Sequence, residues 1–102
     1  MDLAAFRHSL REDAPPPGLS EALQGLWWDG VGDWDRAHAC AQAQDDAEGA
    51  AVHAYLHRKE GDLGNARYWY ARAGRRPADG ALAAEWEALA GELLGAGGAA
   101  PA

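Results

Sequence analysis

The sequence predicts an all-α domain of antiparallel helix hairpins with about six helices. β-Branched residues, which are enriched in strands, are almost absent, since the 102 residues include two valines and neither isoleucine nor threonine. Alanine, leucine, glutamate and arginine, which favour helices, are abundant. Between clusters of glycine, proline and aspartate, apolar residues recur at the spacing of one face of an amphipathic helix.

The first three predicted helices have recognisable boundary residues. Helix 1 covers about 2–11 and is followed by the helix-breaking segment Pro-Pro-Pro-Gly at 15–18. Helix 2 covers about 20–29 and begins at Ser20, a residue type that caps helix N-termini. Helix 3 begins at Asp33 for the same reason and extends to about residue 44.

Helix 4 opens the second predicted hairpin and covers about 46–60. Asp45 and Glu48 are expected to form a capping box at its start. Gly61 ends this helix, because glycine readily adopts the left-handed conformation of a helix C-terminus.

The last two helices follow short breaks. Helix 5 covers about 63–74 after an Asp62 cap, and helix 6 covers about 80–94. Helix 6 has the most regular apolar face, formed by Leu82, Trp86, Leu89 and Leu93. We expect the segment 95–102 to be a disordered tail, because it has nothing to bury.

The two hairpins are related by an internal repeat. Gly61 follows Gly32 by 29 positions, and the same shift places Ala66 on Ala37. A fixed shift of this kind is typical of repeated helical units. We therefore expect a single domain over 1–94, with hairpin units at about 20–44 and 46–74 flanked by helices 1 and 6.

The second unit resembles a known repeat family. Ala66, Tyr70 and Ala73 lie five, nine and twelve residues after Gly61, and this pattern resembles the second half of a tetratricopeptide repeat or of its Sel1-like relative. The segment is also similar to part of short uncharacterised microbial proteins. The resemblance implies stacked helix hairpins that act as a protein-interaction scaffold, although a fold alone does not establish a function.

Composition and charge exclude some classes of function. The net charge of −7 argues against nucleic-acid binding through the whole surface, and no apolar run approaches the length of a membrane helix. Six of the nine lysines and arginines lie between residues 58 and 76. This uneven distribution could guide an anionic partner or a second copy of the chain, and a solvated charged surface is the alternative interpretation.

Cysteine content bears on the compartment. A single cysteine, Cys40, cannot form an internal disulfide. The segment 1–11 lacks the continuous apolar core of a secretory signal. The sequence therefore predicts a cytoplasmic protein.

These features favour a non-catalytic interaction or scaffold module whose partner is a protein, a peptide or another copy of the chain. Consecutive helical residues point about 100° apart, so at most two of the residues Tyr68, Trp69 and Tyr70 can face the core, and Tyr68 is expected outside. The expected partner contacts are Trp28, His57, Arg58, Arg67, Tyr68 and Arg72.

A stripe of potential ligands on helix 4 provides the alternative, a metal or small-molecule site, including an enzymatic one. His53 and His57 are four residues apart and Glu60 follows three residues later, so all three lie on one stripe. Such a set can bind zinc if another ligand, such as His38, comes from elsewhere.

Two observations weaken this alternative. Ala54 stands where a zinc peptidase has the glutamate beside its first histidine, and the neighbouring Arg58 and Lys59 would repel a cation. The sequence favours packing of both histidines between helices, and we expect no metal and no cofactor.

Recognisable catalytic motifs are absent from the sequence. The glycines lack the spacing of phosphate-binding loops, and neither Ser9 nor Ser20 lies in a nucleophile elbow. Cys40 lies between two alanines and is expected to be a small buried thiol. The sequence therefore predicts a protein that is not an enzyme.

Overall fold

The computed structural model describes residues 1–95, which form six α-helices and no strand. The helices are α1 (Leu3–Ser9), α2 (Glu21–Gly30), α3 (Trp34–Ala43), α4 (Ala47–Glu60), α5 (Leu63–Ala73) and α6 (Leu82–Gly95). The predicted all-α hairpin fold is confirmed. Gly95, the first residue of the predicted tail, is the last residue of α6, and the remainder of that tail, 96–102, lies outside the described residues.

Two helix pairs form the body of the domain, because α2 packs mainly on α3 and α4 mainly on α5. Each pair is joined by a short turn that contains a glycine with positive φ, +90° at Gly32 and +87° at Gly61. Only glycine adopts this left-handed conformation without a steric cost. The two glycines therefore have equivalent roles in the two hairpins, as the 29-residue shift predicts.

The N-caps follow the sequence expectation at three helices and differ from it at one. The side chains of Ser20, Asp33 and Asp62 each accept a backbone N–H three residues further on. Helix α4 is capped by Asp46, which accepts from the Gly49 N–H at 2.9 Å. The predicted Asp45 cap is wrong, because α4 begins one residue later and the Asp45 side chain is 92 % exposed.

The core lies where α1 and α6 cover the α2 and α4 helices. The largest fully buried side chains are Trp27, Phe6, Leu23, Leu26, Leu56, Leu93 and Val52. The Trp86 indole N–H of α6 donates to the Leu26 carbonyl at 2.9 Å, and the Trp27 indole N–H donates to the Ser9 hydroxyl of α1 at 3.1 Å. The two flanking helices are thus fixed by directed hydrogen bonds as well as by apolar contact.

Close backbone contacts set the approach of α3 and α4 at their connection. A Cβ atom added at Gly49 would lie 1.9 Å from the Gln44 carbonyl oxygen. A Cβ atom added at Gly25 of α2 would lie 3.1 Å from the Ala37 carbonyl oxygen of α3. Glycine at these positions allows the helices to pack closely enough for side chains from α3 to reach α4.

We predict that Gly49→Ala lowers the free energy of unfolding by about 2 kcal/mol or more, because the backbone at Gln44 must move to admit the methyl group. Gly91→Ala is the matched control, since Gly91 is an exposed residue of α6 with no atom within 4 Å of an added Cβ. This control should raise stability by about 0.5–1 kcal/mol. Urea unfolding measures both changes, and equal effects of the two substitutions would contradict the prediction.

Candidate metal centre

Helix α4 is enclosed over most of its length. Every residue from 49 to 57 is buried, and α4 contacts α2, α3, α5 and α6. His53 and His57, on one stripe of this helix, are only 3 % and 6 % exposed. Burial of two imidazoles in so small a domain requires that their polar atoms have partners.

A third imidazole comes from α3. The ring centroids of His38 and His53 are 4.6 Å apart, those of His38 and His57 are 5.2 Å apart, and those of His53 and His57 are 4.8 Å apart. One ring nitrogen from each of these three residues, the histidine trio, lies within 4.8 Å of the other two. The sequence offered His38 only as one conceivable partner, and the packing of α3 on α4 brings it to the site.

Two indole rings hold the histidine trio from outside. Trp34 stacks on His38 with centroids 5.0 Å apart and an interplanar angle of 10°. Trp69 of α5 stacks on His53 at 3.8 Å and 14°. Because each of these imidazoles has an aromatic ring against its face, rotation about its side-chain bonds is restricted.

His57 has a defined tautomer. Its Nδ1 lies 2.6 Å from a carboxylate oxygen of Glu60, and its Nε2 lies 3.3 Å from the side-chain nitrogen of Asn65. A carboxylate oxygen accepts and an amide nitrogen donates. The hydrogen-bond pattern therefore assigns the proton to Nδ1, with the lone pair on Nε2.

His38 and His53 differ from His57 in this respect. Within residues 1–95, the hydrogen bonds of the histidine trio are those of His57 with Glu60 and Asn65. No fully enclosed side-chain nitrogen or oxygen in this range lacks a partner. The ring nitrogens of His38 and His53 are therefore not completely sealed from solvent.

Two rings of the histidine trio, those of His53 and His38, favour the neutral form. Burial, followed by the neighbouring His38 and His57, lowers the pKa of His53 to about 4. Burial, followed by the coulombic effect of His57, also lowers the pKa of His38. Both rings are consequently neutral near pH 7, and a neutral imidazole carries the lone pair that binds a metal ion.

The nearest cations of α4 are directed away from the histidine trio. Arg58 donates to Glu85 of α6 at 2.9 Å, and its side chain is 13 % exposed. Lys59 donates to the buried carboxylate of Asp29 at 2.8 Å. The repulsion of a cation expected from the sequence is weakened, because each positive charge is paired with a carboxylate on another face of α4.

The side chains expected to contact a partner lie in different environments. Arg67, Tyr68 and Arg72 are exposed on α5, and Arg72 donates to the Tyr68 hydroxyl at 3.2 Å. Tyr68 is 54 % exposed whereas Tyr70 is 3 % exposed, as the helical directions of the three consecutive aromatic residues predict. These three residues of α5 form what we call the α5 outer face.

The other three expected contacts lie outside α5, and one of them, Arg58, lines a pocket together with Arg67 of the α5 outer face. Trp28 is half-buried, with the Arg36 guanidinium 4.5 Å from its ring centroid. Arg58 is paired with Glu85 as described, and His57 belongs to the histidine trio. Cys40, expected to be buried, is half-buried, and burial raises the pKa of its thiol to about 11, which keeps it protonated and weakly nucleophilic.

Sequence analysis missed Asn65 and Trp34 as members of this site. Trp34 lies four residues before His38 on α3, a spacing that places both on one face, and this signal was available. Asn65 lacks such a signal, because its contact with His57 depends on how α5 returns along α4.

Comparison of the chain with protein-family models, with curated proteins and with solved structures gave no match. The tetratricopeptide-like relationship therefore stays a prediction, and function is argued from the geometry of the site. Within the described part of the chain, no helix combines the length and the apolar character needed to cross a bilayer.

The depressed pKa of His53 makes stability depend on pH. The unfolded chain binds this proton near the ordinary pKa of 6.5 and the folded chain only near 4, so between these values the unfolded state holds more protons. We predict that stability is full above about pH 6.5 and falls as the pH approaches 4, with a contribution from His53 of up to about 3 kcal/mol.

Urea unfolding of wild type and His53→Gln across this range measures the effect. As the pH falls toward 4, the free energy of unfolding should decrease more for wild type than for His53→Gln. The exposed His8 provides the control, because His8→Gln should leave the pH dependence unchanged. Parallel curves for wild type and His53→Gln would contradict the assignment.

Proposed function

We propose that this protein binds a divalent transition-metal ion through His38, His53 and His57. The observation that supports the proposal is the convergence of three imidazole nitrogens within 4.8 Å of one another. In a tetrahedral zinc site with bonds of about 2.0–2.1 Å, ligand atoms lie about 3.3 Å apart. The separations within the histidine trio, at most 4.8 Å, would have to shorten toward this value when an ion binds.

The donor set favours ions that accept imidazole. Three neutral nitrogens suit Zn²⁺, Cu²⁺, Ni²⁺ or Fe²⁺. Hard cations such as Mg²⁺ and Ca²⁺ prefer oxygen ligands and would be held poorly. Cys40 contributes no thiolate, because its raised pKa of about 11 keeps the sulfur protonated. Zn²⁺ is therefore a suitable reference ion.

Glu60 supports the proposal through His57. Metal-binding histidines commonly donate their second ring N–H to a carboxylate, which fixes the tautomer and raises the basicity of the other nitrogen. Glu60 accepts from Nδ1 of His57 at 2.6 Å, so Nε2 is the nitrogen available to a metal ion. The 3.3 Å contact of Nε2 with Asn65 is long for a hydrogen bond and would yield to a stronger ligand.

We predict that protein purified without a histidine tag binds one Zn²⁺ per chain, measured by elemental analysis and calorimetric titration. His38→Gln, His53→Gln and His57→Gln should each lower the affinity at least tenfold, because each removes one of three nitrogens. Glu60→Gln should lower it about 10–100-fold, because the orienting carboxylate is lost.

Two variants control for general effects. His8→Gln removes an exposed histidine of α1, and Glu48→Gln removes another carboxylate from α4. Both should bind as wild type does. A chain without saturable binding at one ion per chain, or with equal affinity after substitution of the histidine trio, would refute the proposal. Bound metal should also raise the unfolding temperature, since it binds only the folded state.

The α5 outer face favours a second candidate function, that of a non-catalytic module that binds a protein or peptide, including another copy of the chain. It presents one exposed tyrosine ring with two arginines, and tyrosine and arginine are enriched at protein interfaces. The acidic residues of the first half of the chain supply the opposite charge for a second copy. A cytoplasmic location is part of this proposal. The free thiol of Cys40 is compatible with that reducing compartment.

For this second candidate we predict that Arg67→Glu weakens self-association at least tenfold while the free energy of unfolding stays within about 0.5 kcal/mol of wild type. Sedimentation equilibrium over a range of concentrations measures the association, and Arg11→Glu, at an exposed position before α2, is the control. A chain that stays monomeric at every concentration would contradict self-association. Equal effects of the two substitutions would contradict the role of the α5 outer face.

A further inference from the structure

A cavity of about 180 Å³ lies beside the histidine trio. It is bordered by the end of α3, the connection to α4, the start of α4 and one face of α5, and it is partly open to solvent. Its lining residues are Ala41, Gln42, Gln44, Asp45, Asp46, Ala47, Ala50, His53, Trp69 and Arg72. The volume equals that of about six water molecules, which suits a compound of a few carbon atoms.

His53 belongs both to this cavity and to the trio. Ala47, Ala50 and His53 follow at intervals of three residues on α4, and His57 lies one turn further along the same face. Alanine at the first two positions leaves the space, and His53 also lines the cavity. His53 is 3 % exposed, its ring is stacked on Trp69, and its ring nitrogens have no hydrogen bond among the described residues, so the cavity borders an imidazole without a polar partner.

Three imidazoles leave a tetrahedral ion with one further position. Sites with three protein ligands hold water or an exogenous molecule there, whereas purely structural sites have four protein ligands. His53 is the member shared by the histidine trio and the cavity lining, so it is the point at which a molecule in the cavity could approach an ion held by the trio.

The charged residues that line the cavity favour a ligand with a single negative charge. Arg72 is the only lysine or arginine of the lining, and its nearest carboxylate oxygen, on Asp45, is 3.7 Å away on a side chain that is 92 % exposed. The Asp46 oxygens are already engaged by the Gly49 N–H and the Gln44 amide. With a divalent ion added to one arginine and two aspartates, the net charge is one positive, which one carboxylate neutralises.

We propose that the cavity binds a small monocarboxylic acid whose carboxylate completes the coordination of the ion held by His38, His53 and His57. The proposal rests on the metal site proposed above. Arg72 attracts the anion at the entrance, the methyl groups of Ala47 and Ala50 contact its carbon chain, and the ion receives a carboxylate oxygen. A dianion such as phosphate is disfavoured, because it would leave an excess negative charge beside Asp45 and Asp46.

The test uses full-length protein loaded with Co²⁺, whose visible absorption reports the coordination shell, with propionate as the probe. Propionate should change the Co²⁺ bands with saturation in the millimolar range, as expected for a molecule of five non-hydrogen atoms. Propionamide, which has the same shape and no charge, should have no effect at the same concentrations.

Two variants locate the site. Arg72→Gln should weaken propionate binding about three- to tenfold, and Ala47→Leu, at an exposed position of the cavity wall, should abolish it. Neither should alter Co²⁺ affinity. Arg11→Gln is the control and should behave as wild type.

The outcomes separate the two proposals. Absence of Co²⁺ bands would overturn the metal site and this inference together. Co²⁺ bands that do not respond to propionate would overturn the inference alone. An equal response to propionamide would overturn the assignment of a carboxylate, and an undiminished response in both Arg72→Gln and Ala47→Leu would overturn the assignment of the cavity.

Discussion

The enclosure of α4 on all sides is the constraint on which the other features depend. A polar side chain buried on a helix that contacts four others needs a partner within the protein or a remaining path to solvent. Tyr55 and Lys59 both donate to the carboxylate of Asp29, at 2.7 and 2.8 Å, and thereby tie α4 to α2. His57 is satisfied by Glu60 and Asn65. His53, which is 3 % exposed, has no such partner among the described residues.

The burial of α4 also accounts for its contact with α6. It reduces the number of unpaired positive charges on the surface. The carboxylate of Glu85 accepts from Arg58 at 2.9 Å and from the Tyr70 hydroxyl at 2.6 Å, while its own side chain is 8 % exposed. Removal of Arg58 would leave a buried charge without its counterion, which is more costly than the pair is favourable. The surface formed by the cations between 58 and 76 is therefore less positive than the sequence suggests, because Arg58 and Lys59 are paired with buried carboxylates.

The parts of the fold that depend on local interactions could be predicted from the sequence. The caps at Ser20, Asp33 and Asp62 and the left-handed turn at Gly61 involve residues a few positions apart, so composition and spacing indicate them. The choice between Asp45 and Asp46 could not be made, because both residue types cap equally well and tertiary packing decides where α4 begins. The sequence offered His38 as a conceivable partner of His53 and His57, but it could not show that the three meet, for a similar reason. Their contact depends on the close approach of α3 and α4 at Gly49 and of α2 and α3 at Gly25, which no local pattern records.

The histidine trio draws its members from both helix pairs, since His38 belongs to the first and His53 and His57 belong to the second. The distances among the three imidazoles therefore depend on the angle at which one helix pair packs on the other. A small rotation of one pair against the other would change these distances. A rotation of that kind would move His38 away from the other two rings while each hairpin stayed intact. Any change in the angle between the two hairpins therefore changes the distances among the three imidazoles.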